Sequence, residues 1–356
     1  MTHAPTPSDL DLLLAAFHAH PDARDAWARW RSSVDWEEHL GGDAFALLPD
    51  VCRNQQDLGV DDPLFPRFRG IARQAWVANQ RAKSALPTRL PAGRIPELLL
   101  LPPTSFLFGD GTAVLQHRRD WRLAVRPSEA AAAVRALLQA GWRADGPRIP
   151  PRWLEGYVRG ADHVAMALDD GERLTLTWRL DAWLGDRADA AWADAATVGP
   201  ESLRLRCLRG TDAIEFALRQ PVAGRPLRWI GDVLRLAGPG IDWALLHREL
   251  SRRPLVGEAA DLLPVLDRLL GDRDGATLAR ALSEAPSKPA PTSSFAIRCR
   301  EDWARYRASW GREYRWPRAV AQLPGYMMGR WGAATPGELA RGLVGWIRFG
   351  RDGGAR

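Results

Sequence analysis

The spacing of apolar positions changes along the chain and divides it. From residue 8 to 84 apolar residues recur every three or four positions, which predicts amphipathic helices. In "DAWARWRSSVDWEEHL" Trp27, Trp30, Val34 and the Leu40 region fall at this spacing, and in "FRGIARQAWVANQRAKSAL" Ile71, Ala75 and Ala78 share a face. Ser8, with Asp11 three residues on, predicts a capped helix start. The middle of the chain reads differently. "PELLLL", "TAVLQH" and "WRLAV" have strand length and composition. "SEAAAAVRALLQAGW" predicts a helix capped by Ser128, buried through Val134, Leu137 and Leu138, and stopped by Gly141. "HVAMALDDGERLTLTWRL" alternates on both sides of a Gly-containing turn, the pattern of a hairpin.

Past Asp181 the helical period returns. "LRLRCL" (203–208) alternates and predicts one further strand, and "TDAIEFALRQP" opens on Thr211 or Asp212 as a cap. "LRWIGDVLRLA" and "IDWALLHRELS" follow, and "AADLLPVLDRLLGD" places Leu262, Leu263, Leu266, Leu269 and Leu270 on one face before Gly271. The expected fold class is α+β or α/β: a small mixed sheet with helices, flanked by helical N- and C-terminal regions. The expected divisions are a helical region over 1–90, an α/β core over 91–200, a helical region over 201–285, and a linker with a basic aromatic helical tail over 286–356.

Charge sharpens the last boundary. The formal net charge is +6, yet residues 298–356 hold twelve arginines against five acids, and the rest of the chain is close to neutral. The Pro/Ser-rich stretch "SEAPSKPAPTSS" (283–294) reads as a linker before this segment. "REDWARYRASWGREYRW" sets Trp303, Tyr306, Trp310 and Tyr314 at helical spacing, and "TPGELARGLVGWIRFGR" opens with a capping box from Thr335 to Glu338. A basic aromatic helix can bind nucleic acid or an anionic membrane. The regular apolar stripe favours docking onto the rest of the chain.

Three separated cysteines, Cys52, Cys207 and Cys299, lack zinc or redox spacing and suggest reduced thiols. The opening residues lack the basic and long apolar regions of a signal peptide, and "PELLLLPP" is too short to span a bilayer. The expected location is the cytoplasm.

Candidate chemistry centres on "QHRRDWRLAVRP" (116–127). Its outline is a short strand that ends in an apolar run and a Pro before a helix. With "LLPDVCRNQQDLG", "LTLTWRL" and "LRWIGDVLRLAGPGIDW", it resembles a bacterial family of nucleotidyltransferase-like proteins over residues 27–285. The resemblance implies a nucleotidyltransferase-like fold and an active-site strand with two alternating acids. It also implies a third acid on the hairpin, a His-Trp pair there, and a Lys-Gly motif after the first strand. Two or three carboxylates hold the divalent metals of such transfer. Here Asp120 matches the first acid, but Arg122 stands at the second and Thr175 at the third. Thr177 replaces the His while Trp178 remains, and "LPPTS" (101–105) replaces Lys-Gly.

The expectation is a catalytically degenerate member of this class that acts as a binding or accessory protein. No cofactor is expected; magnesium and a nucleoside triphosphate enter only if activity survives. The alternatives are an active transferase with a rearranged metal site using Asp120, with Asp110 of "FGDG" as a substitute ligand, and a binder acting through the basic tail. Arg118, Arg119 and Arg122 could form a phosphate- or ligand-binding pocket, although charged clusters are more often solvated surface. His117 could share a metal with Asp120, whereas His163 and His247 read as ordinary core or surface histidines. Relatives implied by the resemblance are associated with modified-peptide biosynthesis, which makes a peptide or protein partner a candidate beside a nucleotide.

Overall fold

The computed structural model describes residues 5–18, 20–34, 42–91, 93–95, 97–108, 120–145, 149–199, 203–220, 225–238, 240–253, 255, 259, 262–270, 306, 309, 316–331 and 337. The candidate strand "TAVLQH", the linker and the helix expected after Thr335 lie outside them, apart from Gly337.

The N-terminal helices are α1 (Pro7–Phe17), α2 (Asp22–Ser33), the one-turn α3 (Gly42–Phe45), α4 (Leu48–Asp57) and α5 (Phe65–Arg89). Ser8 is not the cap. Thr6 accepts the Asp9 N–H, and Asp9 returns to the Thr6 backbone, because Pro7 fits the first helical position. In α5 the buried stripe runs through Phe65, Phe68, Ala75, Asn79, Ala82 and Leu86, so Asn79 rather than Ala78 faces inward.

Seven short strands form one mixed sheet: β1 (Leu98–Leu100), β2 (Asp120–Ala124), β3 (Arg143–Ala144), β4 (His163–Ala167), β5 (Arg173–Thr177), β6 (Ala196–Val198) and β7 (Leu205–Cys207). Their order is β3-β4-β5-β2-β1-β7-β6. The pairs β2–β5 and β1–β7 are parallel, and the others are antiparallel. The hairpin forms as its alternation predicts, with Gly171 in the left-handed region at φ 85°. Strand β6 adds an edge that its three residues did not announce.

Between the strands run α6 (Ala130–Gln139), α7 (Leu154–Gly160), the one-turn α8 (Asp181–Leu184) and α9 (Ala188–Asp194). Beyond the sheet follow α10 (Gly210–Leu218), α11 (Pro226–Leu236), α12 (Trp243–Arg252) and α13 (Leu263–Leu270). Two expected caps differ. Ser128 sits within a 3-10 turn ahead of α6, where Pro127 tightens the entry. Thr211 and Asp212 lie inside α10: Thr211 Oγ1 accepts the Asp242 N–H at 2.9 Å, and Asp212 pairs with Arg187. Asp242, by contrast, caps α12 through the Leu245 N–H.

Alternation along the strands sorts the sheet's two faces. One carries Leu98, Leu100, Trp121, Leu123, Val164, Met166, Leu174, Leu176 and Leu205, packed with α6, α7 and the end of α5. On the other, Leu99 and Ala124 lie under Leu184, Trp192, Ala213 and Phe216. A separate helical core joins α1, α2 and α4 to α10, α11 and α12. Helix α5 reaches both bodies, with Phe65 and Phe68 in the helical core and Ala82 and Leu86 under the sheet.

A long helix that the apolar spacing did not announce, Trp316–Trp331, crosses α7. Gly156 and Gly160 on α7 meet Gly325 and Gly329 on the crossing helix. A Cβ built on Gly160 would stand 2.2 Å from the Tyr326 carbonyl oxygen, and one on Gly325 would stand 2.1 Å from that of Trp153. Four glycines at i, i+4 spacing therefore let two backbones touch. Gln322 fastens the contact: its Oε1 accepts the Gly156 N–H at 2.9 Å, and its Nε2 donates to the Arg152 carbonyl at 2.6 Å. Met328 completes the sheet core, so this part of the basic segment docks. No helix among the described residues is long and apolar enough to cross a membrane.

Candidate functional site

Asp120 and Arg122 alternate with Trp121 and Leu123, which are buried, so both acid-position residues project from the sheet's less covered face. Strand β5 lies parallel and in register beside β2: Asp120 pairs with Arg173, Arg122 with Thr175, and Ala124 with Thr177. Strand β4 continues the rows, setting Ala165 beside Thr175 and His163 beside Thr177. The three positions at which the resemblance implies acids therefore do come together. They hold one carboxylate, one guanidinium and one hydroxyl.

Electrostatics on this face favour anions. Asp120 has an Arg two residues on along its own strand and another, Arg173, opposite it on the neighbouring one. The His163 pKa is pushed down, first by withdrawal from water and further by Arg122, while Asp162 opposes the shift. A dication placed roughly 5 Å from one guanidinium would meet about 7 kcal/mol of repulsion at an effective dielectric of 20. Among the described residues no three His, Cys, Asp or Glu side chains converge as metal ligands.

The loop after β1 faces inward. Pro102 and Pro103 lack N–H donors, the Ser105 N–H donates to the Leu101 carbonyl at 3.1 Å, and the Phe106 N–H donates to Pro103 at 3.2 Å. Thr104 and Ser105 are buried. Thr104 Oγ1 accepts the Arg122 N–H at 2.7 Å and so pins the loop to the middle of β2. Pro102 and Pro103 thus offer no donor to a phosphate, and the Ser105 and Phe106 N–H groups are spent within the turn. Sequence reasoning missed the part played by Thr104, which local propensity does not signal.

Arg118, Arg119, Asp110 and His117 lie outside the described residues, so the pocket and the substitute ligand expected of them are not placed. His247 lies on α12, within the helical half and apart from this face.

A buried ionic cluster lies on the helical side. Glu215, fully buried, receives Arg253 at 2.7 Å and Arg219 at 3.1 Å, with Arg187 at 3.7 Å. Burial pushes the carboxyls of Glu215 and Asp212 up, against the pull of the arginines. These groups face one another between helices, which is the arrangement of a structural tie.

The comparisons with known proteins were negative throughout: no protein-family model, no curated protein and no solved structure matches the chain.

Proposed function

We propose that this chain is a nucleotidyltransferase-like protein of the cytoplasm that binds an anionic ligand or partner and does not catalyse metal-dependent transfer. The observation that carries the reading is the register of β2 on β5, which sets Asp120, Arg122 and Thr175 together where the resemblance implies three acids. One carboxylate among arginines is a poor magnesium site, and the same arginines favour phosphate or carboxylate groups. The Pro102–Ser105 loop supports the same reading, since two of its residues lack an N–H and the Ser105 N–H is spent on the Leu101 carbonyl. A peptide or protein partner, as the resemblance implies, fits an accessory role.

Calorimetric titration with ATP, GTP, CTP and UTP, each with and without magnesium, tests the proposal. Binding that is absent or indifferent to magnesium is expected, with no incorporation of label from any of the four into protein, peptide or RNA. Magnesium-dependent binding, or label transfer abolished by Asp120→Ala, would overturn it in favour of a rearranged metal site.

A further inference from the structure

The docked Trp316–Trp331 helix forms one wall of a half-open cavity of about 440 Å³ with the end of α7, the start of β4 and the chain leaving β5. Arg159, Arg179 and Arg330 line it, with Asp162, Ser309 and Tyr326. It lies past the end of β5, four residues along the chain from Thr175, and is a different place from the acid positions.

We propose that this cavity is a binding site for a small phosphomonoester. Three guanidiniums from three separate segments line one half-open cleft, against one lining carboxylate. A monoanionic carboxylate is satisfied by one arginine, whereas a phosphate dianion can accept from several at once. Two of the arginines are already held in place. Arg159 Nη1 donates to the Ser309 carbonyl at 2.5 Å. Arg179 spends Nε and Nη2 on Asp181, at 3.1 to 3.3 Å, and its Nη1 makes no hydrogen bond among the described residues. Fixing a guanidinium by one edge lowers the entropy lost when the remainder binds. The volume exceeds what phosphate alone needs and falls in the range of small-molecule pockets. Asp162 supplies an acceptor suited to a hydroxyl on the organic part, and Tyr326 forms part of the wall.

The site is complete only when the C-terminal helix is docked, because Tyr326 and Arg330 come from it. Ligand binding and docking are therefore linked, and a bound phosphomonoester stabilises the crossing in proportion to its occupancy.

The test uses the full chain, with inorganic phosphate, ribose 5-phosphate and ribose as probes at ionic strength matched with chloride. Ribose 5-phosphate is expected to bind saturably and raise Tm, phosphate to do so more weakly, and ribose not at all. Arg179→Gln and Arg330→Gln should each weaken ribose 5-phosphate at least ten-fold, while Arg143→Gln, in an exposed ion pair with Asp169 away from the cavity, should leave it unchanged. Absence of saturable binding by the wild-type protein at millimolar ribose 5-phosphate overturns the proposal, a result that needs no variant to fold. Undiminished binding in both cavity variants, or loss only in Arg122→Gln on the sheet face, also overturns it. The last outcome would move the anion to the sheet face and leave the binding role proposed above standing.

Discussion

Single side chains explain much of the unusual composition. Seventeen tryptophans look at first like a binding surface, yet the buried ones tie elements together. The Trp142 indole donates to the Arg89 carbonyl at 3.0 Å, Trp178 to Val158 and Ala161 at 2.9 and 2.8 Å, and Trp229 to Ala217 at 2.8 Å. In each case the indole donates to a carbonyl in the closing turns of a helix or just past it, while the ring fills the core. Glu215 behaves differently and yields a prediction. Its pKa is raised by burial, so the folded chain holds the proton more tightly than the unfolded one. The stabilisation from that proton is full below the ordinary glutamate range and is lost as pH rises through the shifted value. Glu215→Gln keeps the shape and removes the dependence. The Tm difference, variant minus wild type, should therefore increase as pH is raised from about 4 to about 7. A constant or falling difference would mean that the three arginines outweigh burial.

At the scale of elements, the crossing of α7 by the C-terminal helix depends on the absence of Cβ atoms. Gly160→Ala forces a methyl group onto the Tyr326 carbonyl, and overpacking of this kind costs about 1–3 kcal/mol. Denaturant unfolding should register that loss, and trypsin should cut after Arg318 or Arg330 faster than in the wild-type chain. Unchanged stability and cleavage would show that the helices separate without cost. Most elements were legible beforehand because their signals are local. The hairpin announces itself by alternation and Gly171, α6 by its stop at Gly141, and β7 by Leu203, Leu205 and Cys207. The crossing helix was not legible, because Pro324 and the two glycines argue against a helix interior when taken alone. Their value appears only once α7 lies against them. The acid-position face was half legible: the resemblance pointed to Asp120, Arg122 and Thr175, but only the β2–β5 register sets them side by side and adds Arg173.

At the scale of the whole molecule, one buried tie holds distant parts of the chain in one helical body. Arg235, fully enclosed, bonds Asp50 at 2.5 Å and Asp232 at 3.0 Å, so α4 and α11 meet through a buried charge across 185 residues. Asp50→Ala leaves that guanidinium short of a counter-charge and should cost about 3–5 kcal/mol, read as a fall in the denaturation midpoint. A loss under about 1 kcal/mol would show the pair to be exchangeable for water. A chain ending at Ser294 lacks the crossing helix and Met328, and is expected to lose Tm or solubility. If it keeps both, the tail is an arm and not part of the core.

The distance in sequence between α7 and its covering helix also sets an order of events during synthesis. Gly156 waits for Gln322, 166 residues later. At about 5–20 residues per second the wait is about 8–33 s. Through that interval the strands and α6 can assemble, but the glycine face of α7 stays bare beside an unfilled place in the sheet core. A chain stopped between Cys207 and the crossing helix has all its strands but presents that face permanently.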